Sequence, residues 1–266
     1  MCCRFTRSRR TPTPRPRSAI NSRTLTGVDV SEWQDGLPLS AAAAAGHRFA
    51  IVRACDGTYA DPVFASHVAD ARRSGLLVGA YWYVRHPLEG TTFREQARVV
   101  AKQLVSAFGT VLDDAPAVWL DVETVSHRLG VDDVVAAARA LEAEGVRCAG
   151  MYATRSYWRL RRSPAFGDGP CEVPGGLWLA QWPGGALKGD EDGCGGHEGA
   201  IAGGGHEGSS AYPGDDHRAW RPFRGRTPDL WQFTDRGSVA GFTVDVNAFR
   251  GDEGDLARLL AGVGSG

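Results

Sequence analysis

The chain has 266 residues, 42% of them hydrophobic and 23% charged, which is ordinary for a globular protein with a sizeable core. No stretch reaches the roughly 18 apolar residues that span a bilayer, so an integral membrane protein is not expected. Net charge is −1, but residues 1–23 carry seven arginines and no acid, so the remainder is acidic and a poor candidate for nucleic-acid binding.

The N-terminal segment 1–23 is basic and proline-rich and lacks an apolar run. It reads as a disordered tail, and no apolar h-region follows that would make it a signal peptide. From Leu25 onward, apolar runs at Leu25–Val30, Phe49–Ala54, Leu76–Val84, Ala117–Val122, Val146–Tyr152 and Leu177–Trp182 read as strands. Between them lie helical patterns. Asp61-Pro62 reads as a helix N-cap with proline at the first position, and Gly75 as the stop. Thr92 and Glu95 fit a capping box, after which Val100, Leu104 and Phe108 share a face. Asp132 or Asp133 would cap a third helix carrying Val134, Ala138 and Leu141 and ending at Gly145.

Strand, helix, strand at this spacing predicts parallel strands with crossover helices. One α/β domain over 24–262 is expected, with a glycine-rich surface insertion at 184–217 that holds 12 of the 35 glycines. Further strands are expected at Leu230–Phe233 and Phe242–Val246. Six cysteines (Cys2, Cys3, Cys55, Cys148, Cys171, Cys194) show no CxxC spacing, so no structural zinc is expected and disulfide pairing stays open.

The strongest chemical signal is Pro116-Ala117-Val118-Trp119-Leu120-Asp121-Val122-Glu123. Side chains alternate along a strand, so Asp121 and Glu123 point the same way at its end. Two acids crowded there repel each other and suit acid–base work. Asp29 lies inside another apolar run and Asp245 inside a third. An isolated buried carboxylate is costly, so acids at three strand ends point to one shared mouth. Aromatic residues near them in sequence, including Trp33, Tyr81, Tyr152, Trp178, Trp182 and Trp231, suit a sugar site, because ring faces pack on pyranose faces. Trp119, mid-strand, reads as core.

These segments carry a resemblance. GVDVSEWQ (27–34), FAIVRACDGTYADPVF (49–64), GAYWYV (79–84), PAVWLDVE (116–123), GMY (150–152), LWLAQW (177–182), LWQFTDRGSV (230–239) and VDVNAF (244–249) look, in order, like the family 25 glycoside hydrolases, the peptidoglycan-cutting lysozymes of bacterial and phage type. The resemblance implies a modified β/α barrel, incomplete and flattened, with an acidic groove at the C-terminal ends of the strands. It implies Glu123 as general acid and Asp121 as stabiliser of the oxocarbenium-like transition state or orienter of the 2-acetamido group. Asp29 and Asp245 match the other two groove acids. Tyr81, Tyr152, Trp231, Gln232, Trp178 and Gln181 fall in segments expected to meet substrate.

The implied substrate is the β-1,4 bond from N-acetylmuramic acid to N-acetylglucosamine. The enzyme would act on peptidoglycan strands as a monomer, outside the cell or at its wall, without cofactor, metal, nucleic acid or membrane. A chitinase-like site fits less well, because that class has aspartates where Trp119 and Pro116 stand here. A metal site at the two Gly-His-Glu-Gly repeats (196–199, 205–208) lacks the HExxH spacing. A catalytically dead glycan-binding barrel is the alternative of another class. The acid pair is expected to hold Glu123 protonated near neutral pH while Asp121 stays charged.

Overall fold

A computed structural model of the chain describes residues 24–112, 114–155, 157, 174–182, 211–222 and 225–262. The tail 1–23 and most of the glycine-rich segment, with its two Gly-His-Glu-Gly repeats, lie outside the described residues, as do Cys2, Cys3, Cys171 and Cys194.

The strands are β1 (Thr24–Val30), β2 (Phe49–Asp56), β3 (Tyr59–Ala60), β4 (Leu77–Tyr83), β5 (Val118–Asp121), β6 (Cys148–Thr154), β7 (Gly176–Ala180), β8 (Leu230–Val239) and β9 (Phe242–Arg250). The helices are α1 (Leu39–Ala44), α2 (Phe64–Arg73), α3 (Phe93–Phe108), α4 (Val131–Ala143) and α5 (Glu253–Leu260). Strand order is β1-β9-β8-β7-β6-β5-β4-β2-β3, and β1 also pairs with β2. That last pairing closes eight strands into a barrel, with β3 as a short hairpin partner of β2 at the rim.

Six of the barrel's eight junctions are parallel, as the strand–helix alternation predicts. The other two are antiparallel: β9 runs against both β8 and β1. Only the tight turn at Ala240-Gly241 joins β8 to β9, so no crossover helix can intervene there. The barrel is therefore modified, complete in its hydrogen bonding but not in its strand–helix repeat. Asp245, expected at a strand's C-terminal end, lies near the start of β9 because that strand is reversed.

Strand alternation divides the core in two. Outward residues such as Val28, Val52, Trp82, Val118, Leu120, Leu179 and Val246 pack under the helices. Inward residues, including Phe49, Ile51, Trp119, Tyr152, Trp178, Leu230 and Phe249, fill the barrel. Leu256 and Leu260 of α5 join this inner cluster, and the backbone N–H of Ala117 donates to the Leu260 carbonyl at 2.8 Å. The last helix thus plugs the barrel floor, opposite the C-terminal strand ends. Two glycines are dictated by close approach: a Cβ on Gly27 would collide with Phe49, and one on Gly150 (φ +145) with the backbone of Gly176.

The α3 capping box forms as expected: Thr92 Oγ1 accepts from Glu95 N at 3.2 Å, and Glu95 Oε2 accepts from Thr92 N at 2.7 Å. Two helix starts differ from expectation. α2 begins at Phe64, because Asp61 is drawn into a buried ion pair and its other oxygen closes a local turn on Val63 N at 3.1 Å. α4 takes Gly130 as N-cap, with Asp133 one turn in and accepting from Gly130 N. Among the described residues Cys55 and Cys148 are free thiols.

Candidate active site

The inward set changes character toward the mouth. On β5, Trp119 faces the inner core, and Asp121 and then Glu123 follow on the same face. On β1 the inward residue at that level is Asp29; on β2 it is Arg53; on β4 Tyr81; on β6 Tyr152; on β8 Gln232; on β9 Asp245 and Asn247. Asp29 and Asp245 are register partners across the β1–β9 pair, so the reversed strand still delivers its acid to the mouth. The four acids expected to converge do so.

The loop carrying Glu123 is tied down. The N–H of Val122 donates to Tyr152 O at 2.9 Å, and that of Val84 to Asp121 O at 3.0 Å. Thr124 is buried and its hydroxyl donates to Glu89 Oε1 at 3.0 Å. The Tyr157 hydroxyl donates to the Thr124 carbonyl at 3.3 Å and accepts from Leu129 N at 2.8 Å.

Beneath the acids lies a second layer. Gln232 Nε2 donates to Asp29 Oδ2 at 3.1 Å and to Asp245 Oδ2 at 3.3 Å, and its Oε1 accepts from the Tyr152 hydroxyl at 3.0 Å. Asn247 Nδ2 donates to Asp29 Oδ2 at 2.7 Å, and its Oδ1 accepts from Trp178 Nε1 at 2.8 Å. Trp178 is the hub of the aromatic floor, edge-on to Tyr81, Trp119 and Tyr152, with ring centroids at 6.2, 5.9 and 4.7 Å. Trp178 and Gln232, expected against substrate, are thus buried supports of the acids.

Burial and mutual repulsion dominate the electrostatics. Burial pushes the Glu123 carboxyl up to about 7, with the Asp29 charge adding to it. Asp121 and Asp245 are raised well above the carboxylate range, first by burial and then by neighbouring acids. Among the described residues, Asp121 Oδ1 is buried with no hydrogen-bond partner, so no N–H group holds its charge. The expected division, Glu123 protonated and Asp121 charged, does not emerge: Asp121, Glu123 and Asp245 are all raised and hold protons as a cluster.

Among the described residues, one buried cation faces them. Arg53 donates from Nε to Asp61 Oδ2 at 2.9 Å and from Nη2 to Glu32 Oε1 at 2.6 Å, and its charge opposes the rise at Asp121. Arg85 grips Asp56 with two bonds, 2.5 and 2.7 Å, and lies over the Tyr83 ring. Sequence reasoning missed Arg53, Asp56 and Asn247, although each is a polar residue inside or ending an apolar run, the same signal that marked Asp29.

Trp231 is not brought to the mouth. It alternates outward between Leu230 and Gln232, is fully buried, and stacks on His217 at 4.6 Å with Tyr212 and Trp220 around it. Its Nε1 donates to Gln181 O at 2.7 Å, and Gln181 is half-buried just past β7. Trp33, Tyr59 and Trp182 are exposed, each on a segment that follows the C-terminal end of β1, β2 or β7.

The family model of the glycosyl hydrolases family 25 matches residues 28–200. The chain belongs to family 25 of the glycoside hydrolases. Lysozyme M1 of Streptomyces globisporus is 25% identical over 248 residues, covering 88% of this chain and 70% of that protein. The bacterial lysozyme structure from Streptomyces coelicolor superposes with a TM-score of 0.58 at 22% identity, covering 90% of this chain and 98% of its own. The family 25 lysozyme from Aspergillus fumigatus gives 0.59 at 23%, covering 90% and 100%. This family 25 member is a glycoside hydrolase of the lysozyme type, with an eight-stranded closed barrel. No helix among its described residues is long and apolar enough to cross a membrane.

Proposed function

We propose that this family 25 enzyme is an N-acetylmuramidase that cleaves the β-1,4 bond from N-acetylmuramic acid to N-acetylglucosamine in peptidoglycan, working as a monomer outside the cell or at its wall. The observation that carries the reading is the convergence of Asp29, Asp121, Glu123 and Asp245 on one mouth, with Glu123 raised to about 7.

Glycoside hydrolysis needs an acid for the leaving oxygen and negative charge beside the anomeric carbon. Glu123 stands just past the end of β5 and is half-buried, so its proton can reach a bound chain. It acts as general acid, and its carboxyl is still protonated near neutral pH. Asp121 lies one step deeper on the same face, and the negative charge shared by the acid cluster stabilises the positive charge that develops on the sugar ring. Asp29 and Asp245 complete the acid cluster beside it. Tyr81 and Tyr152 line the floor, and the exposed Trp33, Tyr59 and Trp182 offer ring faces to sugars further along the chain.

The test is a digest of purified peptidoglycan, reduced with borohydride and read by mass spectrometry. New muramitol ends are expected. Glucosaminitol ends would place the cut at the other bond, and no new ends from folded protein would favour a glycan-binding barrel.

A further inference from the structure

Four side chains beneath the acids make two parallel relays that converge on one atom. Trp178 Nε1 donates to Asn247 Oδ1 at 2.8 Å, and Asn247 Nδ2 donates to Asp29 Oδ2 at 2.7 Å. The Tyr152 hydroxyl meets Gln232 Oε1 at 3.0 Å, and Gln232 Nε2 reaches Asp29 Oδ2 at 3.1 Å. All four are buried, Asn247 completely.

The indole N–H can only donate. The amide atom that meets Trp178 must therefore be the oxygen of Asn247, and its NH2 must face Asp29. An amide flip would set indole N–H against NH2 and leave both unpaired in a dry site, at the cost of two buried polar groups. The indole thus fixes the amide, and the amide fixes the acid. Asp29 Oδ2, with two N–H donors on it, is an acceptor. Asp245 lies within hydrogen-bonding reach of Asp29 as its register partner, and two carboxylates so placed must share a proton.

We propose that Trp178 and Asn247 are positioning residues that hold Asp29 as the ionised member of the Asp29–Asp245 pair, which puts the shared proton on Asp245. Gln232 donates to both members, so the difference between them is the Asn247 donor on Asp29. Among the described residues, the titratable groups facing the pair include Asp121 of β5, Glu123 just past it, Tyr81 of β4, Tyr152 of β6, Asp235 of β8 and, beyond Asp121, Arg53 of β2. The acids among them disfavour charge on both members alike. Two N–H donors on Asp29 against one on Asp245 break the tie. The consequence is a fixed negative charge at the end of β1, whose position does not depend on the protonation of Asp121 and Glu123.

This deepens the hydrolase reading and rests on it for any effect on turnover, but its test does not need turnover. The carboxyl carbons of Asp29 and Asp245 would be followed by 13C NMR against pH in the whole protein, with Asp29→Asn and Asp245→Asn used only for assignment. Asp29 is expected to ionise at lower pH than Asp245, and the reverse order would overturn the proposal without any variant. Trp178→Phe keeps the ring and removes the N–H. It should raise the Asp29 midpoint by about one pH unit, a tenfold change. Leu179→Ala, in the outer core, should lower stability without moving that midpoint. In a hydrolytic assay Trp178→Phe should lower kcat about tenfold with KM little changed, and adding it to Asn247→Leu should cost nothing further. An unmoved Asp29 midpoint in folded Trp178→Phe, or additive losses in the double variant, would overturn it.

Discussion

Arg53 Nε lies 2.9 Å from Asp61 Oδ2, and both side chains are buried. Asp61 also accepts from Glu32 N at 3.0 Å, while Glu32 takes the other arm of Arg53 and, through Oε2, the Tyr59 hydroxyl at 2.8 Å. One guanidinium therefore welds the turn after β1 to the β2–β3 hairpin, the two rim segments that present Trp33 and Tyr59. Removing it strands two carboxylates. Arg53→Met is expected to cost about 3–5 kcal/mol in denaturant unfolding. Adding Asp61→Leu should recover part of that loss, because the stranded buried charge goes with it. A single-variant cost under about 1 kcal/mol would contradict this account.

Glu123 is raised to about 7 from the ordinary value near 4.5. The sign follows from linkage: a carboxyl raised by folding binds its proton more tightly in the native state than in the unfolded one. Its contribution to stability is complete below about pH 4.5 and is lost as pH rises through about 7. Glu123→Gln removes this loss and should stabilise the protein by about 1–3 kcal/mol at pH 8, with little change at pH 4. Activity should also fall as pH rises through that region, because the general acid deprotonates. Melting temperatures of both proteins across pH check the first point, and initial rates check the second. Equal pH dependence in wild type and variant would refute it.

Trp231 and Trp33, both read from the sequence as aromatics of a sugar site, take different places in the structure. Trp231 is sealed outside the barrel against His217, whereas Trp33 is 68% exposed at the rim. Trp231→Ala is expected to cost about 3–5 kcal/mol of stability through the cavity it leaves. Trp33→Ala should leave stability within about 0.5 kcal/mol and raise KM for glycan chains several-fold. Unfolding midpoints and steady-state kinetics separate the two; a KM effect confined to the Trp231 variant would reverse the assignment.

Gly150 packs its α-carbon against the β7 backbone with φ +145. Gly150→Ala is expected to lose more than about 3 kcal/mol or fail to fold, since the methyl group meets main chain that cannot yield. Gly46 has a positive φ of +98 but open space around it, so Gly46→Ala should cost only about 1 kcal/mol. Thermal unfolding of the two variants side by side checks the contrast, which vanishes if backbone angle alone governs.

All eight barrel strands were legible because each holds an apolar run between turn signals, and the acids were legible because a charge inside such a run is conspicuous. What the chain could not reveal locally was direction. Nothing in Val244-Asp245-Val246-Asn247 says that β9 runs backwards; that follows from the tight turn at Ala240-Gly241 and from pairing with β1 across more than 200 residues of chain. Strand phase was equally hidden at Trp231, where a single step of alternation separates core from mouth. The α2 start was misread because Asp61 looks like a cap in sequence, yet its carboxylate serves Arg53. The order of proton affinity between Asp121 and Glu123 depends on depth in the barrel, which spacing alone does not encode.

In the proposed muramidase reaction, Glu123 donates the proton that releases the leaving sugar. Glu123→Gln keeps the shape and removes that proton, so the decisive measurement is the yield of new reducing ends from purified peptidoglycan with each protein, beside binding to the same material. A turnover loss of about a thousandfold or more is expected, with binding retained within a few-fold. Turnover within about tenfold of wild type would contradict it and move the acid's role to another member of the cluster.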